Sequence, residues 1–144
     1  MKYSQLPVLG EREWLNHINK SFQEVGNMIQ LSDLSFDPVY LNGASKTTDN
    51  TLYLWRTILN DGAGHGRTII GGVGNVHHTA LKMGEHFTIK APWEVGRGSQ
   101  VSGNVFDMTH WKTEMASDGS VDFTPMQDVS EQTNWIDFRI EWPY

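Results

Sequence analysis

Six histidines first raise the question of chemistry in this chain. His65, His77, His78 and His86 cluster in sequence, with His17 and His110 further off. If His77 and His78 lie in a strand they point to opposite faces, so they cannot hold one ion within a single chain. One imidazole from each of three chains around an axis would suit a transition metal. Nothing else in the sequence supports such a site, and no metal is expected. Asp107 and Glu114, flanking His110 and Trp111, are the best local carboxylate pair for glycoside chemistry. Acids in strand-and-loop regions are ordinarily solvated, so neither is assigned a catalytic role. There is no cysteine and no Ser in a G-x-S-x-G turn, which leaves nucleophilic catalysis without a starting point. The glycine runs GAGHG and GGVG do not fit G-x-G-x-x-G, lead into no helix and precede no Walker Lys-Ser/Thr. They read as turn and packing glycines. The chain is therefore expected to be no enzyme and to need no cofactor.

The tryptophans carry more information. There are six among 144 residues, and indole rings both stack on sugar faces and dominate protein interfaces. Trp14 opens an apolar periodic stretch and Trp142 lies on the apolar face of the last strand, so both read as core or interface. Trp93 and Trp111 stand beside Pro, Gly or polar neighbours and are the expected exposed, ligand-binding pair.

These side chains need a scaffold, and the clearest part of it runs from Thr51 to His78. An apolar run over 52–59 meets the glycine-rich stretch 61–66, and a second apolar run returns over 68–73, which is the grammar of a β-hairpin. A positive φ is expected at one or more of the turn glycines Gly62, Gly64 and Gly66. Pro38 to Leu41 reads as a short strand closed by Asn42-Gly43, and residues 44–50 as an exposed polar loop. Further strands are expected over 85–91, 95–103, 104–112 and 120–124. The last is the most regular: Ile136, Phe138, Ile140 and Trp142 alternate with Asp137, Arg139 and Glu141.

Ahead of the strands the period changes. Leu15, Ile18, Phe22, Val25 and Ile29 recur at 3-4-3-4 spacing, predicting an amphipathic helix over 11–31. That seam either packs on the chain's own β-domain or joins copies of the chain, and it is the expected oligomer interface if the chain assembles. The stretch SDLSFDP after it reads as a loop. The fold class is mainly β, an antiparallel sandwich or barrel-like domain preceded by one N-terminal amphipathic helix. Residues 1–34 form the arm and helix, and residues 35–144 the β-rich domain.

Composition removes several partners. The formal net charge of −6, with no Lys/Arg run, argues against a nucleic-acid phosphate backbone. No stretch has the length and apolarity of a signal peptide core or a membrane span, so synthesis in a cytoplasm and no membrane partner are expected.

A short N-terminal helix ahead of a cysteine-free, Gly- and Trp-rich β-domain, with the stretches TLYLWRTILNDGAGHGRTIIGG and NWIDFRIEWPY, resembles tailed-bacteriophage virion proteins of the fibre, appendage and capsid-decoration kinds. The likeness covers residues 11–144, lies in composition and element order, and transfers no individual residue. It implies a non-enzymatic virion subunit, often a homotrimer, attached to the particle through its N-terminal region. Its β-domain would face other virion proteins or a host-surface glycan. The alternative is a free-standing carbohydrate-binding β-sandwich using Trp93 and Trp111, and the third reading is a glycan hydrolase.

Overall fold

The computed structural model describes residues 29–60, 63 and 65–143. Leu15, Ile18, Phe22 and Val25 of the expected helical seam, and the turn glycines Gly62 and Gly64, lie outside the described residues. Among the described residues, ten strands make up two antiparallel sheets. The strands are β1 (Ile29–Ser35), β2 (Val39–Leu41), β3 (Ala44–Lys46), β4 (Tyr53–Asn60) and β5 (Gly66–His78), then β6 (Phe87–Lys90), β7 (Gln100–Phe106), β8 (Trp111–Met115), β9 (Val121–Pro125) and β10 (Gln132–Pro143). The larger sheet has the order β1-β4-β5-β10-β7, with β3 pairing the far end of β5, and the smaller has the order β2-β6-β9-β8.

β10 is an interior strand of the larger sheet, between β5 and β7. It pairs β5 along its whole length, from Gln132↔His78 to Pro143↔Arg67, and pairs β7 from Trp135↔Phe106 to Glu141↔Gln100. Its alternation is as the sequence has it: Ile136, Phe138 and Ile140 are buried, and Trp142 packs against the same core. The smaller sheet contributes Phe87, Ile89, Val121 and Phe123 to that core. Phe123 meets Phe138 edge-to-face across the layers at 6.0 Å between ring centroids.

The sheets are stitched at two corners. Asn42 and Gly43, at φ 56° and 91°, turn β2 in the smaller sheet into β3 in the larger one. Both angles are positive, as a tight hairpin turn of this type requires, which is why the dipeptide is Asn-Gly. The Asn42 amide then donates to Thr88 Oγ1, and that hydroxyl donates to Asp122, tying the corner to β6 and β9. At the other flank a turn at Asp107 leads from β7 to β8: the Thr109 backbone N–H is accepted by the Asp107 carboxylate at 2.7 Å.

Four expectations need correction. Ile29 belongs to β1, opposite Leu59, not to a helix. The segment SDLS is the rest of that strand, so the sheet begins ahead of residue 35. Residues 44–46 form β3 because their backbone completes the edge of β5 beyond the point where β4 ends. The stretch 104–112 is two strands, since the Asp107 side chain captures the next turn's backbone and breaks the alternation. The central hairpin stands, with Asn60 opposite Gly66, but β5 runs on straight through GGVG. Among the described residues Gly66 does not have a positive φ; Gly74 does, at 143°.

Candidate ligand-binding site

The outer face of the larger sheet is where side chains with binding chemistry converge. Trp55, Gly71, Arg139 and Ser102 are register partners on four adjacent strands, and Tyr53, Val73, Asp137 and Asn104 form the next row on the same face. A Cβ on Gly71 would lie 2.1, 2.4 and 2.7 Å from three consecutive atoms of the Trp55 six-membered ring. Such similar distances to neighbouring atoms are those of a ring lying face-down on the glycine. Beside it a shallow groove of about 440 Å³ is lined by Trp55, Ser102, Asn104, Asp137 and Arg139, over the backbone of Gly72 and Gly103. The Asn104 amide donates to Asp137 Oδ1 at 3.2 Å. One row further along, Trp135 and Phe106 pair and are 40% and 54% exposed.

The tryptophans singled out from sequence are placed differently. Trp93 is half-buried against the core, and the guanidinium of Arg56 sits 5.3 Å from the centre of its ring. Arg56 is itself held by Asp33, which accepts from Nε at 3.0 Å and from a terminal nitrogen at 2.6 Å. Trp93 still borders a cavity of about 320 Å³ with Lys90, Glu94 and Asp118. Trp111 packs its ring against His78 and Phe87, edge-to-face at 5.4 and 5.6 Å, and donates its indole N–H to both oxygens of Asp107 at 2.9 Å. The structure does not bring the two together at one exposed surface.

The histidines and carboxylates mostly serve the fold. His77 and His78 do point to opposite sides of β5. His78 is fully buried, stacked on Phe87, donating from Nδ1 to the Thr79 carbonyl at 2.8 Å and facing the Asn134 amide with Nε2 at 3.0 Å. His77 meets Thr133 at the surface. No group of three or more His, Asp or Glu suited to a metal ion occurs among the described residues. Asp107 accepts from Thr109, Trp111 and Gln132, while Glu114 is exposed on β8 beside Lys112. Two other carboxyls have pKa values below the ordinary range. Glu141 is lowered chiefly by the hydrogen bond from Arg67, and Asp118 by hydrogen bonds from the Ser120 hydroxyl and backbone.

No protein-family model matches the sequence, and neither a curated protein nor a solved structure is found similar to it. The groove therefore has to be read from its own residues. Trp55 was legible only as an apolar strand residue, because the feature that turns its ring outward and flat is Gly71 on another strand. The alternation over 135–141 did carry a signal: its outward set begins at Trp135, and a large aromatic among charged neighbours was the residue to follow.

Proposed function

We propose that this chain is a non-enzymatic structural subunit of an assembled particle, of the kind that forms fibres, appendages or capsid decorations of tailed-bacteriophage virions. The observation that carries this reading is the opposite placement of chain entry and exposed apolar side chains. β1 begins with Ile29 opposite Leu59, at the end of the sheet where Asn60 pairs with Gly66. At the other end β5 stops at His78 opposite Gln132, and the adjoining loops present Met83, Met108 and Met126, all more than half exposed. Those loops are joined: the Met83 N–H donates to Asp128, and the Met126 N–H to the His110 carbonyl. A subunit tethered through its N-terminal region would present that methionine-rich end outward, and methionine is a side chain suited to adaptable contacts.

A second support is β1. Its outer edge has no strand partner among the described residues, and Leu34 and Phe36 near its end are 59% and 52% exposed. An edge of that kind is a pairing surface that proteins ordinarily cover. The mass of the full-length chain by light scattering at tens of micromolar tests the reading. A homotrimer is expected, and Ile18→Asp with Val25→Asp should dissociate it, because a charge buried in an apolar seam costs several kcal/mol. A monomeric full-length protein would overturn the assembly reading.

A further inference from the structure

We infer that the groove beside Trp55 is a binding site for a neutral oligosaccharide. A sugar ring offers two chemistries at once: an apolar C–H face and a rim of hydroxyls that both donate and accept. The groove answers both. Trp55 lies against Gly71 with its benzo ring, leaving the opposite ring face turned away from the sheet, and the negative face of an indole suits a C–H surface. Only a glycine at position 71 allows this, since any Cβ there would lift the ring. The rim is met by Asp137 as acceptor, Asn104 as donor and acceptor, Ser102 and the Arg139 guanidinium. Asn104 and Asp137 are already hydrogen-bonded to each other at 3.2 Å, so an acceptor and a donor are held side by side, as neighbouring hydroxyls require.

The length of the surface points to an oligosaccharide. Trp135 lies four residues along β10 from Arg139, and Arg139 is two strands from Trp55 in the same row. With ordinary strand spacing and rise, the Cα positions of the two tryptophans stand about 16 Å apart. A short glycan chain lying across Asp137 and Asn104 would reach from one indole to the other. Charge selects among glycans: the groove holds one carboxylate and one guanidinium, Arg139 leans toward Glu141 at 3.5 Å, and the chain carries a formal net charge of −6. A polyanionic glycan would be repelled. A protein partner fits less well, because the centre of the surface is polar and charged, where protein interfaces are depleted of charge.

The site belongs to a single chain and does not depend on the assembly reading. The test is an array of neutral and acidic oligosaccharides, followed by titration calorimetry of the full-length chain with each neutral oligosaccharide the array retains. Retention of neutral oligosaccharides is expected, with affinity falling at least about tenfold in both Trp55→Ala and Asp137→Ala. Trp135→Ala should weaken longer chains more than monosaccharides. Glu114→Ala, at an exposed position of β8 outside the groove, should bind as the parent does. Since Trp55→Ala uncovers Gly71, Asn104→Ala on the edge strand β7 provides a variant that leaves the core untouched, and it should also weaken binding. An array that retains no neutral oligosaccharide, or retention of acidic glycans alone, would overturn the proposal. So would neutral binding that survives both Asp137→Ala and Asn104→Ala.

Discussion

The ring of Phe138 occupies the space that a side chain at Gly72 would need: a Cβ there would lie 2.5 Å from its Cε1. On the other side of β10, a Cβ at Gly103 would lie 3.0 Å from the Cβ of Phe138. This inward ring of β10 is thus flanked by glycines on both neighbouring strands, and the adjacent Gly71 makes the same room on the opposite face for Trp55. Glycine in a strand interior is otherwise a weakness. Here it converts the two faces of one short stretch into a core socket and a ligand platform.

The GGVG glycines should therefore fail in a definite order. At Gly74 a side chain would meet the backbone of Leu52 at 2.5 Å and would have to adopt a φ of 143°. Gly74→Ala is expected to cost about 2–4 kcal/mol. Gly72→Ala pushes on a buried ring that has Phe123 behind it and should cost about 1–3 kcal/mol. Gly71→Ala displaces only a half-buried indole that can swing outward, at less than about 1 kcal/mol. Urea denaturation of the three variants checks the order.

Asp107 is the pin of the β7–β8 corner. It accepts from the Thr109 backbone, from the Trp111 indole and from Gln132, so one carboxylate holds the turn, the half-buried tryptophan and the start of β10. Asp107→Ala should destabilise by about 2–4 kcal/mol, the cost of losing charge-assisted bonds and leaving the indole N–H unpaired. Near-UV circular dichroism should lose the signal of an immobilised tryptophan, while Glu114→Ala, exposed on β8, should leave both readouts near the parent values.

How much of this was legible in the sequence follows from the range of each cause. The alternation of Ile136, Phe138 and Ile140 and the Asn42-Gly43 turn depend on neighbouring residues, and both can be read directly. β3 and β1 could not: Ala44–Lys46 is a strand because β5 outruns β4, and Ile29–Ser35 because β4 has a free edge. The same holds for the tryptophans. Trp93 and Trp111 look exposed beside their neighbours in sequence, yet each is covered by a residue the sequence does not place near it, Arg56 in one case and His78 in the other.

Tyr40 carries a buried hydroxyl with no hydrogen-bond partner among the described residues, and burial, with a smaller effect from Asp37, raises its pKa above the usual phenolic value. An unsatisfied buried hydroxyl costs about 1–3 kcal/mol of desolvation. Tyr40→Phe keeps the ring that packs against the core and removes that cost. The variant should be as stable as the parent or more so, by up to about 1 kcal/mol, and thermal melting at neutral pH will show it.

The last prediction concerns acid. Glu141 and Asp118 titrate below their ordinary values of 4.5 and 3.8, the first because Arg67 donates to it, the second because Ser120 does. A carboxyl with a depressed folded-state pKa stabilises the fold above its unfolded-state value, and that stabilisation disappears as pH falls through the folded-state value. Stability should therefore hold steady from neutral pH down to about 4.5 as far as these two groups are concerned, and decline below it. Glu141→Gln keeps an acceptor for Arg67 and Asp118→Asn keeps one for Ser120, so the double variant isolates the charge. Its urea midpoint should fall less between pH 5 and pH 2 than that of the parent. Both groups lie at the surface, so added salt should shrink the difference. Equal acid slopes in parent and double variant would mean that the Arg67 and Ser120 contacts seen in the fold are not kept in solution.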